Sequence, residues 1–135
     1  MRKIKFMAIG LFLLLGLADA SASEVHNVNV AEGRRMLQQA GSSVVLLDVR
    51  TPQEFFEARI DGAKLLPTNL PTKTFYERLG ALPKDQTYLV YCTVGSRSSQ
   101  VASIMSRSGF QTVYNLDGGI AAWYKMGYPI LQGAP

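Results

Sequence analysis

YLVYCTVGSRSSQVASIMSRSG, residues 88 to 109, passes from an unbroken apolar run through a short polar stretch into a pattern of helical spacing. Tyr88 to Tyr91 has the length and the branched and aromatic content of a strand covered on both faces. From Ser98 onward, Val101, Ile104 and Met105 recur at helical intervals until Gly109 stops them. The unit is therefore strand, tight loop, helix, and the loop contains the only cysteine of the chain, Cys92.

The same alternation extends in both directions. Asn29 with Glu32 three residues later is a capping-box pattern and predicts a helix that buries Val30, Met36 and Leu37 and ends at Gly41. Val44 to Asp48 reads as a second buried strand. Thr51, Pro52 and Glu54 supply the cap, first turn and box of another helix. Lys64 to Leu66 predicts a short strand closed by Pro67, and Pro71 to Leu79 a helix. Thr112 to Tyr114 predicts a strand, and Gly119 to Met126 a last helix carrying Ile120 and Trp123. Strands alternating with helices at this spacing predict an α/β domain with a mostly parallel central sheet and helices on both faces. Ligand crevices in such sheets lie beyond the carboxyl ends of the strands, where Cys92 falls.

The first 22 residues read differently. Arg2, Lys3 and Lys5 precede an uncharged run from Phe6 to Ala18, too short for the roughly 20 residues of a membrane span and suited to a signal peptide. Small residues at Ala18, Ala20 and Ala22 predict cleavage after Ala20 or Ala22, leaving residues 23–135 as one domain, exported and most simply periplasmic. No cysteine follows the apolar run, which excludes a lipoprotein, and the mature chain is expected to be off the membrane and monomeric. About half of the formal charge of +4 belongs to this leader, and the remaining basic residues are scattered, so nucleic acid is not an expected partner.

A lone cysteine in an exported chain cannot form an internal disulfide, which leaves buried ballast or a working thiol. Its setting bears on the choice. Backbone N–H groups of Thr93, Val94, Gly95, Ser96, Arg97 and Ser98 precede the helical ladder and can converge on the sulfur, and a helix N-terminus favours the thiolate. Gly95 permits a positive φ or a close backbone approach. Arg97 is a cation in a first turn, where the helix dipole opposes it, so an anion should compensate. It either meets an anionic substrate or braces the loop, unless it simply points into solvent. Ser96, Ser98 and Ser99 serve as turn and cap residues or as ligand donors. His26 lies beside the predicted cleavage site, far in sequence from Cys92, and is expected at the surface of the N-terminal segment and not as the base of a cysteine hydrolase. No CxxC is present, and one Cys with one His makes no metal site.

With those residues in hand, the chain resembles the rhodanese-like sulfurtransferases. LLDVRTPQEFFEARIDGAKLLP (46 to 67) resembles the family's first signature, VYCTVGSRSSQVA (90 to 102) its active-site loop and helix, and NLDGGIAAWYKMGYPI (115 to 130) its second signature. Arg59-Ile60-Asp61 departs from the commoner His-Ile-Pro. The resemblance implies that Cys92 takes a sulfane sulfur from thiosulfate as a persulfide and passes it to cyanide or a thiol, with no cofactor. It further implies that Thr93 to Ser98 bind the substrate, and that Asp48 and Arg50 support the cradle or pair to hold the fold. An alternative within the family is a persulfide carrier loaded by a protein partner. Cysteine phosphatases place their arginine one position later, where this chain has Ser98, so the six-residue CTVGSR loop points to sulfur chemistry.

Overall fold

The computed structural model describes residues 23–39 and 41–135. The predicted signal peptide lies outside them. Five strands form one parallel sheet: β1 (Val25–Val28), β2 (Val45–Asp48), β3 (Lys64–Leu65), β4 (Thr87–Tyr91) and β5 (Thr112–Leu116), in the order β1-β5-β4-β2-β3. The helices are α1 (Val30–Gln38), α2 (Pro52–Glu57), α3 (Thr72–Gly80), α4 (Ser96–Arg107) and α5 (Gly119–Lys125).

The period of two along a strand sends alternate side chains to opposite faces, and here both faces are apolar. Leu47, Tyr88 and Val90 pack with Phe75 and Leu79 of α3 and Val101 and Met105 of α4. Leu46, Leu89 and Tyr91 pack on the other side with Val30 of α1 and Ile120 and Trp123 of α5. This explains why β2 and β4 read as continuous apolar runs instead of alternating ones. The predicted α/β architecture with helices on both faces is the observed one.

Besides β5, which runs two residues past the predicted Tyr114, three local readings change. Residues Val25–Val28 form an edge strand that the sequence hides, because His26 and Asn27 interrupt its apolar character. Backbone pairing with β5 holds it, aided by an Asn115 to Asn27 side-chain bond of 3.0 Å and the His26–Tyr114 ring contact. His26 is exposed, as expected. Helix α1 ends at Gln38 instead of Gly41, and its Met36 and Leu37 are half-buried. Helix α4 begins at Ser96, two residues earlier than its apolar spacing suggests, because Gly95 adopts φ 106° and starts the turn itself.

Candidate active site

Asp48 and Arg50 leave the end of β2 beneath the site. Arg50 donates to Asp48 through Nε at 3.0 Å and Nη2 at 2.7 Å, and its backbone N–H adds a bond of 2.9 Å. Its Nη2 also donates to the Ala58 carbonyl at 2.5 Å, and the guanidinium stacks over the Tyr91 ring. Both side chains are buried. The Tyr91 hydroxyl accepts from the Ile60 N–H at 3.1 Å. Of the two readings open from sequence, the geometry favours the pair that holds the fold: it ties β2 and β4 to the exit of α2. Arg59, at the departure from the family pattern, donates to the carbonyls of Phe55 and Gly133 and exchanges backbone bonds with Leu131, which fastens the C-terminal segment.

Cys92 follows directly on β4 and has no exposed surface. It is nevertheless not sealed in hydrocarbon. The Gly95 N–H donates to Sγ at 3.1 Å, and the Ser98 hydroxyl lies 3.3 Å from it. That hydroxyl is also 3.1 Å from the Gly95 carbonyl, and its single proton turns to the sulfur once the sulfur is a thiolate. Burial alone would push the thiol pKa up. The Ser98 hydroxyl and the N–H groups of Ser98, Gly95 and Val94 outweigh burial and bring it below the ordinary value. Two residues beyond the buried sulfur, Val94 of the same loop is 62% exposed.

The loop is held from two directions. On one side the carbonyls of Cys92 and Thr93 accept from the N–H groups of Ile120 and Ala121, at 3.0 Å each, in the first turn of α5. On the other side stands Glu54 of α2. Its carboxylate accepts from Arg97 Nη1 and Nη2 at 2.8 Å each, from Thr93 Oγ1 at 3.0 Å, and from the Thr51 hydroxyl at 3.1 Å. Glu54 also completes the expected capping box with Thr51. Arg97 reaches Thr93 Oγ1 as well, at 3.1 Å. The compensating anion that Arg97 demanded is thus supplied from within the chain, and the arginine braces the loop.

Sequence reasoning gave Glu54 only its capping role. The signal that could have found more was Arg97 itself, an unfavourable first-turn cation followed across the chain to the first signature helix. Ser96 opens α4, and Ser99 is exposed and takes part in its first turn. The structure therefore places Thr93, Val94, Gly95, Ser96, Arg97 and Ser98 in one continuous turn after Cys92, while Asp48 and Arg50 are occupied with each other and with the Ala58 carbonyl.

The Glu54 pKa lies at about 2, first because of the Arg97 hydrogen bonds, which outweigh the opposing effect of partial burial. A carboxylate with a depressed folded value contributes stability that is fully present above its unfolded value of 4.5 and is lost as pH falls through about 2. We expect the difference in denaturation midpoint between wild type and Glu54→Gln to be largest near neutrality and to shrink steadily through that window. Urea titrations at a series of pH values measure it.

Fold and site together define a class: a parallel α/β domain that carries one buried thiol at a strand end, met there by a backbone N–H and a hydroxyl. The rhodanese-like domain model matches residues 29–126, and the chain belongs to that family of sulfurtransferases. A sulfurtransferase from Allochromatium vinosum is 35% identical over 106 residues, covering 77% of this chain and 95% of its own. The thiosulfate sulfurtransferase GlpE of Shewanella oneidensis is 34% identical over 83 residues, covering 62% of this chain and 78% of its own. This chain is also 36% identical over 110 residues to the probable adenylyltransferase/sulfurtransferase MoeZ of Mycobacterium tuberculosis, of which it spans 27%. Among solved structures, a rhodanese-related protein from Thermoplasma volcanium superposes with a TM-score of 0.66 at 27% identity, over 78% of this chain and 97% of that one.

Proposed function

We propose that this sulfurtransferase moves a sulfane sulfur from thiosulfate, through a persulfide on Cys92, to cyanide or a thiol, and that it does so outside the cytoplasm as a monomer. The observation that carries the reading is the convergence of the Gly95 N–H and Ser98 hydroxyl on a buried sulfur. In the first step the Cys92 thiolate attacks the outer sulfur of thiosulfate. A new S–S bond forms, the old one breaks with its electron pair, and sulfite leaves. Cys92 then carries a persulfide anion. In the second step cyanide attacks the outer sulfur and departs as thiocyanate, which restores the thiolate. No proton needs to move in either step, so the absence of a nearby histidine is no obstacle. Donors already aimed at one sulfide anion are suited to stabilise the charge when it moves to the second sulfur.

Intact mass measured after incubation with thiosulfate is expected to rise by one sulfur, and sulfite is expected to accumulate once cyanide is supplied. A protein that gains sulfur from a persulfide donor but never from thiosulfate would instead be a carrier loaded by a partner. A protein that gains none from either would lack the activity.

A further inference from the structure

Both guanidiniums that the structure places by the loop are already paired. Arg50 is locked on Asp48 at side-chain exposures of 5% and 0%, where an incoming ligand does not sense it. Arg97 and Glu54, at 36% and 30%, reach solvent beside the loop. Arg97 is the single charge that the segment Thr93 to Ser98 carries. Among the described residues it is also the only charged one lining the adjoining groove of about 230 Å³ between α3 and α4, whose walls mix apolar Leu70, Phe75 and Val101 with polar Thr68, Thr72 and Gln100. The loop's own cation is therefore paired with a carboxylate that belongs to the same chain.

We infer that Glu54 is a specificity-determining residue: by neutralising Arg97 it leaves the Thr93 to Ser98 loop without net charge of its own, weakens its pull on the thiosulfate dianion, and so admits less highly charged sulfane-sulfur donors of the organic persulfide type alongside thiosulfate. With such a donor, R–S–SH, the Cys92 thiolate attacks the outer sulfur, the S–S bond breaks, R–S⁻ leaves with the electron pair, and the proton stays on the new persulfide. This assignment rests on the sulfurtransferase reading for the identity of the donor, but not for the electrostatics. Glu54 touches neither sulfur; it acts through Arg97 and Thr93. A donor arriving with two negative charges gains nothing from a neutral pair, whereas a donor with one charge or none forgoes less.

Glutamine at position 54 keeps an acceptor for the capping box but removes the charge and the second acceptor oxygen, and with it the two-pronged grip on Arg97. The test compares alkylation of Cys92 by iodoacetate and by iodoacetamide, reagents of similar size that differ by one charge, at low ionic strength where screening is weak. The ratio of the two rates cancels changes in thiol pKa. In Glu54→Gln the ratio should rise about three- to tenfold over wild type; in Arg97→Gln, which frees the carboxylate, it should fall by a similar factor; in the double variant it should return to near the wild-type ratio. In the same series the KM for thiosulfate should drop several-fold in Glu54→Gln while that for an organic persulfide, which carries at most one charge, changes less.

Equal alkylation ratios in all four proteins, each showing a cooperative melt, would overturn the assignment. If Glu54→Gln does not fold, the opposite shift in Arg97→Gln carries the test. Absent sulfur transfer with the predicted order of ratios intact would count against thiosulfate as donor and in favour of the role of Glu54.

Discussion

Cys92→Ser is expected to leave a folded protein that gains no sulfur from thiosulfate and turns over more slowly by on the order of a thousandfold or more, below the detection limit of a thiocyanate assay. The expectation combines two properties of the position. A serine hydroxyl is not ionised near neutrality and cannot accept a sulfane sulfur as a persulfide, so no alternative route survives. The same hydroxyl fits the space and meets partners, since the Gly95 N–H and the Ser98 hydroxyl already point there. Burying an oxygen in place of sulfur therefore leaves no unsatisfied polar group, and the melting temperature should stay within a few degrees of wild type. Intact mass after donor treatment and a thermal melt are measured on the same sample. Sulfur gained by the serine variant would place the acceptor elsewhere, on a residue other than the chain's only cysteine.

The contrast between what the sequence reveals here and what it conceals follows from the range of the interactions involved. Strands β2 and β4 are legible because burial on both faces makes them continuous apolar runs, and α2 because its cap, proline and box lie within four residues. The cradle is legible for the same reason: Cys92, Gly95 and Ser98 lie within seven residues, and a strand running into a helix brings their donors together. Strand β1 is hidden because an edge strand needs only backbone partners, and β5 lies more than eighty residues away in the chain. Glu54 is hidden in the same way. Its cap is local, but its bonds to Thr93 and Arg97 cross about forty residues, and no pattern around position 54 announces them. Arg97 did announce a missing anion, since a cation in a first turn is locally unfavourable. Such a local conflict marks where a distant partner must be sought, without naming it.

Gly119 provides the corresponding case in which a small side chain supports the loop from a distance. Gly119→Ala is expected to cost about 3 kcal/mol or more and to lower the melting temperature by roughly 10 to 15 °C. Two penalties add at this position. The residue holds φ 57°, a left-handed conformation that costs an alanine about 1 to 2 kcal/mol. In addition, a Cβ placed there would lie 2.5 Å from the Thr93 carbonyl oxygen and 2.6 Å from its carbon, and would strike the Cys92 carbonyl as well. These are backbone atoms and cannot swing aside. The carbonyls in question are the ones that accept from Ile120 and Ala121, so relief of the clash means lifting the start of α5 off the loop and losing those bonds. Sulfur loading should fall with stability, because the same displacement moves the backbone that follows Cys92. Gly127→Ala is the control. It also has a positive φ, 74°, but open space around the Cβ, and should lose only the conformational part, about 1 to 2 kcal/mol, with loading intact. Equal losses in the two variants would mean that the close approach of Gly119 to the cysteine loop does not hold the cradle in place, and that its shape resides in residues 92 to 98 alone.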